Sequence, residues 1–243
     1  ALPICQNSFL LSNEQEGILA LRVCQEIASQ PGNPLTKREI VRASCRLAEV
    51  YYFENQPEIA WNEYETIRNS HPVEFAMEPY HQTKFIQLSL IIGKISFAGA
   101  LLDTYFPWEK HQNWIMPVIH HAKYLLMKPD LQKAHETILK GFEINQKKVY
   151  FQYEIELRML ECVYFVFSGN VQMAFELIDR NLQFLSRKAD SFSIRLFAAF
   201  YKLIHAKLQK QKLNSELQNW LLEYQKSSNR YYGCLLQSIL ALD

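Results

Sequence analysis

One short pattern recurs along the chain and constrains the fold more than any other feature. A turn residue is followed by a polar residue, an aliphatic or proline, two further residues, and then a small residue that opens a helix. It reads Asn55-Gln-Pro-Glu-Ile-Ala60, Gly93-Lys-Ile-Ser-Phe-Ala98, Pro129-Asp-Leu-Gln-Lys-Ala134 and Gly169-Asn-Val-Gln-Met-Ala174. Looser copies stand at Ser12–Gly17 and Lys212–Leu217. The copies recur every forty residues or so, the length of a helix–turn–helix unit. Glycine or asparagine at the turn admits a left-handed backbone at a helix end, and alanine lets a second helix approach the first closely. Around the Asn55 turn the helical period is plain: Ile40, Ala43, Leu47, Val50 and Tyr51 precede it, and Ala60, Tyr64 and Ile67 follow, with Pro72 just beyond.

Composition agrees. With 7 glycines and 9 prolines in 243 residues, a turn-rich all-β fold is disfavoured. The expected class is therefore all-α, a right-handed α-solenoid of antiparallel helix pairs. The units run at about 12–34, 36–74, 79–112, 113–148, 151–188 and 190–227, with a terminal helix at 228–242, forming one repeat domain over 1–243. Linkers are expected at Gln30–Pro34, Ser70–Pro79 and Phe106–Gln112. The first unit has only eleven residues ahead of its second helix (Asn13–Ser29), and the terminal helix has an apolar face. Both suggest that the array or another domain continues past one or both ends.

Here the sequence resembles the tetratricopeptide repeat family. In Val41–Glu74, residues Leu47, Ala48, Tyr51, Ala60, Tyr64 and Pro72 stand where that family places its signature residues. Later units keep Gly93, Ala98 and Leu102; Ala122, Leu125, Ala134 and Ile138; and Cys162, Phe165, Gly169, Ala174 and Ile178. The units are longer than is usual for the family, and His121 and Glu161 replace large apolar residues. The resemblance implies a superhelix with a concave surface lined by the first helix of each pair. Carried over by register, the partner-binding groove comprises Arg42, Arg46, Glu49 and Phe53, then Tyr80, Lys84, Gln87 and Ile91, then Lys123, Met127 and Phe167. It reads as basic at one end and apolar toward the other. Some family members grip a peptide carboxylate with Lys, Arg and Asn; Arg42, Arg46 and Lys84 are present here without matching asparagines.

Other chemistry is sparse. Lys and Arg number 26 against 25 Asp and Glu, which disfavours nucleic acid or an anionic membrane as a partner of the whole surface. The basic runs Gln146–Lys148 and Lys207–Lys212 read as solvated helix ends. Phosphate-loop, dinucleotide, zinc-protease and nucleophile-elbow motifs are missing. His111, His120, His121 and His135 cluster in sequence, but adjacent helical positions diverge by about 100°, so no metal is expected. Cys5, Cys24, Cys45, Cys162 and Cys234 are widely spaced and odd in number, which predicts buried thiols in a reducing, cytoplasmic setting rather than a disulfide framework. Cys162 beside Glu161 reads as the small residue of a helix crossing, not as a nucleophile.

No signal peptide is read at the N-terminus, where the chain opens Ala1-Leu2-Pro3 without methionine and a removed leader would leave no trace. Phe85–Phe106 is apolar over a membrane-spanning length, but Lys94 near its centre predicts buried helices instead. The expected function is a protein- or peptide-binding scaffold with no catalysis and no cofactor. The alternative is a ligand- or peptide-sensing domain of a larger regulator, such as a bacterial transcription regulator.

Overall fold

The computed structural model describes residues 35–148, 150–225 and 230–242, together with Leu19, Arg22, Val23, Glu26, Ile27, Gln30 and Gly32. The rest of the 12–34 unit lies outside the described residues, with its Ser12–Gly17 turn and Pro34, as do Cys5, Cys24 and Ser228. Among the described residues the fold is all-α, without strands. The chain divides into two compact units, Ala1–Gly93 and Lys94–Asp243.

In the first unit, helix α1 spans Lys37–Phe53, α2 Pro57–Ser70, α3 Pro72–Ala76 and α4 Pro79–Ile91. A capping box starts α1: the Thr36 hydroxyl accepts from the Glu39 N–H while the Glu39 carboxylate accepts from the Thr36 N–H. α1 packs on α2 and α3, and α2 packs on α3 and α4. Their shared core includes Leu47, Ala60, Trp61, Tyr64, Phe75 and Phe85, all buried. The Trp61 indole N–H donates to Ser89 Oγ at 2.9 Å, so this deep polar pair is satisfied. Ser70–Pro79 is not a plain linker. Pro72 starts α3 at the first helical turn, where its missing N–H costs nothing, and Phe75 anchors the turn at full burial.

In the second unit the helices are α5 (Ile95–Tyr105), α6 (Trp108–His111), α7 (Ile115–Met127), α8 (Leu131–Lys148), α9 (Phe151–Phe167), α10 (Val171–Ser186), α11 (Phe192–Leu208), α12 (Ser215–Glu223) and α13 (Arg230–Leu240). The Phe106–Gln112 linker likewise holds the single-turn α6, begun at Pro107. α7 packs on α5, α6, α8 and α9; α10 packs on α9 and α11; α13 packs on α9 and α11. Gly233 lets α13 seat deeply, because a Cβ there would stand 2.2 Å from the Tyr224 carbonyl oxygen. The apolar run Phe85–Phe106 is cut by a left-handed Gly93 into α4 and α5. No helix among the described residues is long and apolar enough to cross a membrane.

Left-handed backbone recurs at the turns. Asn55, Gly93, Gly169 and Lys210 all have positive φ, at 63°, 78°, 74° and 54°. At four turns, those of Asn55, Pro129, Gly169 and Lys210, the N–H of the following residue (Gln56, Asp130, Asn170, Gln211) reaches back five residues to the carbonyl of Tyr51, Leu125, Phe165 and Ala206, at 2.8–3.0 Å. That is the long bond of the Schellman motif, which satisfies carbonyls a helix end would otherwise orphan. At four corners the carbonyl of the residue after the turn accepts the N–H that closes the first turn of the next helix, from Ala60, Ala98, Ala134 and Ala174. All four alanines are fully buried, so a larger side chain there would have no space.

Candidate functional site

On the first unit, Arg38, Arg42 and Arg46 recur every four residues and so occupy one face of α1. The Nε atoms of Arg38 and Arg42 both donate to Glu78 Oε1, at 2.7 and 2.8 Å. Burial alone would raise the Glu78 carboxyl, but these two hydrogen bonds outweigh it and hold the group below its usual range. Arg46 Nη1 donates to Glu49 Oε2 at 2.7 Å. The three arginine side chains are about half exposed while both carboxylates are almost wholly covered.

Tyr80, from α4, stands among cations, with the Arg46 guanidinium 5.5 Å and the Lys84 ammonium 5.4 Å from its ring centre. Burial, reinforced by Glu49, pushes its phenol up. Gln87 reaches the Tyr52 hydroxyl at 3.5 Å. Glu49, Tyr52, Tyr64, Lys84, Gln87 and Leu88 enclose a cavity of about 10 Å³, room for about one water. Beneath it, His81 Nδ1 lies 3.4 Å from the Tyr64 hydroxyl oxygen and 3.9 Å from Glu49 Oε1. Burial lowers this imidazole to about 4.

Of the eight groove residues assigned by register to this unit, the structure brings Arg46, Glu49, Tyr80, Lys84 and Gln87 into one cluster. Arg42 joins it one helical turn away through Glu78. Phe53 is exposed at the end of α1, and Ile91 is buried in the core. Arg38, Glu78 and His81 were missed. The four-residue arginine spacing was legible, but Glu78 sat inside an expected linker.

On the second unit, Met127 and Phe167 come together. With Leu126, Pro129, Leu131, Leu235 and Ser238 they line a solvent-open pocket of about 330 Å³. The walls come from the ends of α7 and α9, the start of α8, and α13. The hydroxyl of Ser238 donates to the Cys234 carbonyl at 3.0 Å, and none of the lining side chains is charged.

Lys123 does not join this pocket. It is 3% exposed, with its ammonium 3.0 Å from Glu156 Oε2 and 5.0 and 5.3 Å from the ring centres of Tyr231 and Tyr232. The Tyr231 hydroxyl donates to the Lys123 carbonyl at 3.1 Å. Lys123, assigned to the groove by register, thus helps to seat α13, a role readable only once α13 is placed.

The remaining candidates have structural surroundings. Cys162 is buried, which pushes its thiol up to about 12, and Glu161 adds to the shift. His121 is 2.9 Å from the Phe106 carbonyl, and His135 stacks flat on Tyr164 at 4.2 Å between ring centres. No three His, Cys, Asp or Glu side chains converge as a metal site among the described residues. No protein-family profile matches the chain, and no curated protein matches it in sequence.

Proposed function

We propose that the chain is a non-catalytic protein- or peptide-binding module built from lengthened tetratricopeptide-like helix pairs stacked as a right-handed solenoid. The observation that carries this reading is the open pocket of about 330 Å³ into which Met127 and Phe167 converge. Pockets of this size, lined by apolar groups and formed between helices, suit an apolar anchor on a ligand. Two further observations support it. The left-handed corners and fully buried alanines recur at the repeat spacing, as stacked helix pairs require. The cluster around Tyr80 presents half-exposed guanidinium groups whose planar donor forks suit polar partner groups.

A peptide array probed with the purified chain tests the proposal. Selective capture of a set of peptides, reproduced in solution, is the expected result. An empty array overturns it, and measurable turnover of any substrate would replace it with an enzyme.

A further inference from the structure

The pocket on the second unit also constrains what it can hold, and this step rests on the peptide-binding reading above. Six of its seven lining residues are Leu126, Met127, Pro129, Leu131, Phe167 and Leu235. The seventh, Ser238, spends its proton on Cys234. An ion placed there would lose much of its water against walls that carry no charged side chain. A neutral aromatic or branched aliphatic group loses nothing, and a thioether and a phenyl ring among the lining groups suit an aromatic one.

The rim supplies the second half of the recognition. Lys128 lies in the chain between the lining residues Met127 and Pro129 and is exposed. Its ammonium sits 5.7 Å from the Tyr124 ring centre and meets no carboxylate among the described residues. The nearest acid in the sequence, Asp130, is already engaged by Lys133 at 3.6 Å. The turn beside the pocket therefore carries one cation without a countercharge, on a stem long enough to swing over the mouth.

We propose that this pocket takes the side chain of an aromatic or branched aliphatic residue from a partner peptide, with an adjacent carboxylate of that peptide paired to Lys128. The pocket provides the affinity, and the exposed lysine selects the sequence beside the anchor.

The chain has five methionines, so ¹³C-methyl methionine spectra of the full chain resolve Met127, assigned from the spectrum of Met127→Leu. The probes are acetyl-Gly-Phe-Glu-Gly-amide, its alanine-for-phenylalanine analogue, its lysine-for-glutamate analogue, and decanoate. The Phe-Glu peptide is expected to shift the Met127 methyl saturably and the alanine analogue to leave it unmoved. The lysine analogue should bind about two- to fivefold more weakly, the size of an exposed ion pair. Lys128→Glu should invert that order. Ser238→Trp, an exposed position that places an indole at the mouth, should weaken the Phe-Glu peptide at least about tenfold with an unchanged circular dichroism spectrum.

Equal shifts from the phenylalanine and alanine peptides, an order that Lys128→Glu does not change, or a response to decanoate alone would each overturn the assignment. A productive peptide array with a silent Met127 overturns the pocket while the scaffold reading stands. An empty array with a silent Met127 removes both.

Discussion

The two units solve the problem of a buried charge in opposite ways. In the first, the covered groups are anions: the Glu49 and Glu78 side chains are 9% and 10% exposed, and their partners Arg46, Arg42 and Arg38 are 47–49% exposed. In the second, the covered group is the cation, with the Lys123 side chain at 4% and its partner Glu156 at 21%. An exposed guanidinium that loses its carboxylate returns to water at little cost. A buried ammonium that loses its carboxylate is left facing two tyrosine rings among the described residues. The first arrangement leaves charge available at the surface, while the second spends it on holding α13 in place.

The largest expected effect follows from that asymmetry. Glu156→Gln strands the Lys123 ammonium and should destabilise the chain by about 3 kcal/mol, the lower end for breaking a buried pair because Glu156 is partly exposed. Lys123→Met removes the charge itself and keeps the stem, so it should cost less, about 1 kcal/mol. Urea unfolding measures both. If Lys123→Met proves the more damaging, the ammonium contributes net stability and the contrast between the units fails.

Acid should act through the first unit next. His81 falls to about 4 in the fold because it is buried; Glu49 and Glu78 work against that shift, and Arg46 and Arg42 with it. With the folded value below the unfolded one, the unfolded chain takes up the extra proton. Stability contributed by a neutral His81 is whole above the unfolded value and declines as pH drops from about 6.5 towards about 4, by roughly 2–3 kcal/mol. His81→Gln should flatten that part of the stability–pH curve. A curve unchanged by the substitution would mean that His81 does not sense this pH range.

Much of the architecture was legible because it is written in local rules. Asn55, Gly93 and Gly169 announce left-handed corners and have positive φ, and Ala60, Ala134 and Ala174, read as the small residues of the turns, are fully buried. Pro72 and Pro107 were legible as helix boundaries but not as the starts of α3 and α6, because proline punctuates a chain in either sense. The candidate site was less readable. The resemblance, carried over by register, named Arg46, Glu49, Tyr80, Lys84 and Gln87 among one set of groove candidates, and the structure clusters them. It could not foresee that Glu78 would turn inward onto two arginines, or that Tyr231, 108 residues along, would reach Lys123. Those pairings depend on how distant helices meet, which no local period encodes.

The smallest effect is also the sharpest test of the contrast. Glu78→Gln removes a carboxylate that both Arg38 and Arg42 touch, so a count of bonds would call it severe. The physical reading differs. Burial opposes the Glu78 charge in the first place, its two partners are half exposed, and a neutral glutamine oxygen can still accept from one of them. The loss should be no more than about 1 kcal/mol at neutral pH, as for a solvent-screened pair. It should also vanish in acid. Because the folded carboxyl lies below its ordinary value of 4.5, its contribution is present above that pH and is lost as pH falls through the folded value. Urea midpoints of the wild type and E78Q should therefore converge as the pH falls below the folded value of Glu78. A loss comparable to that of Glu156→Gln, or one that persists in acid, would show that the arginine face is held as rigidly as the seat of α13, and that its guanidinium groups are structural rather than available to a partner.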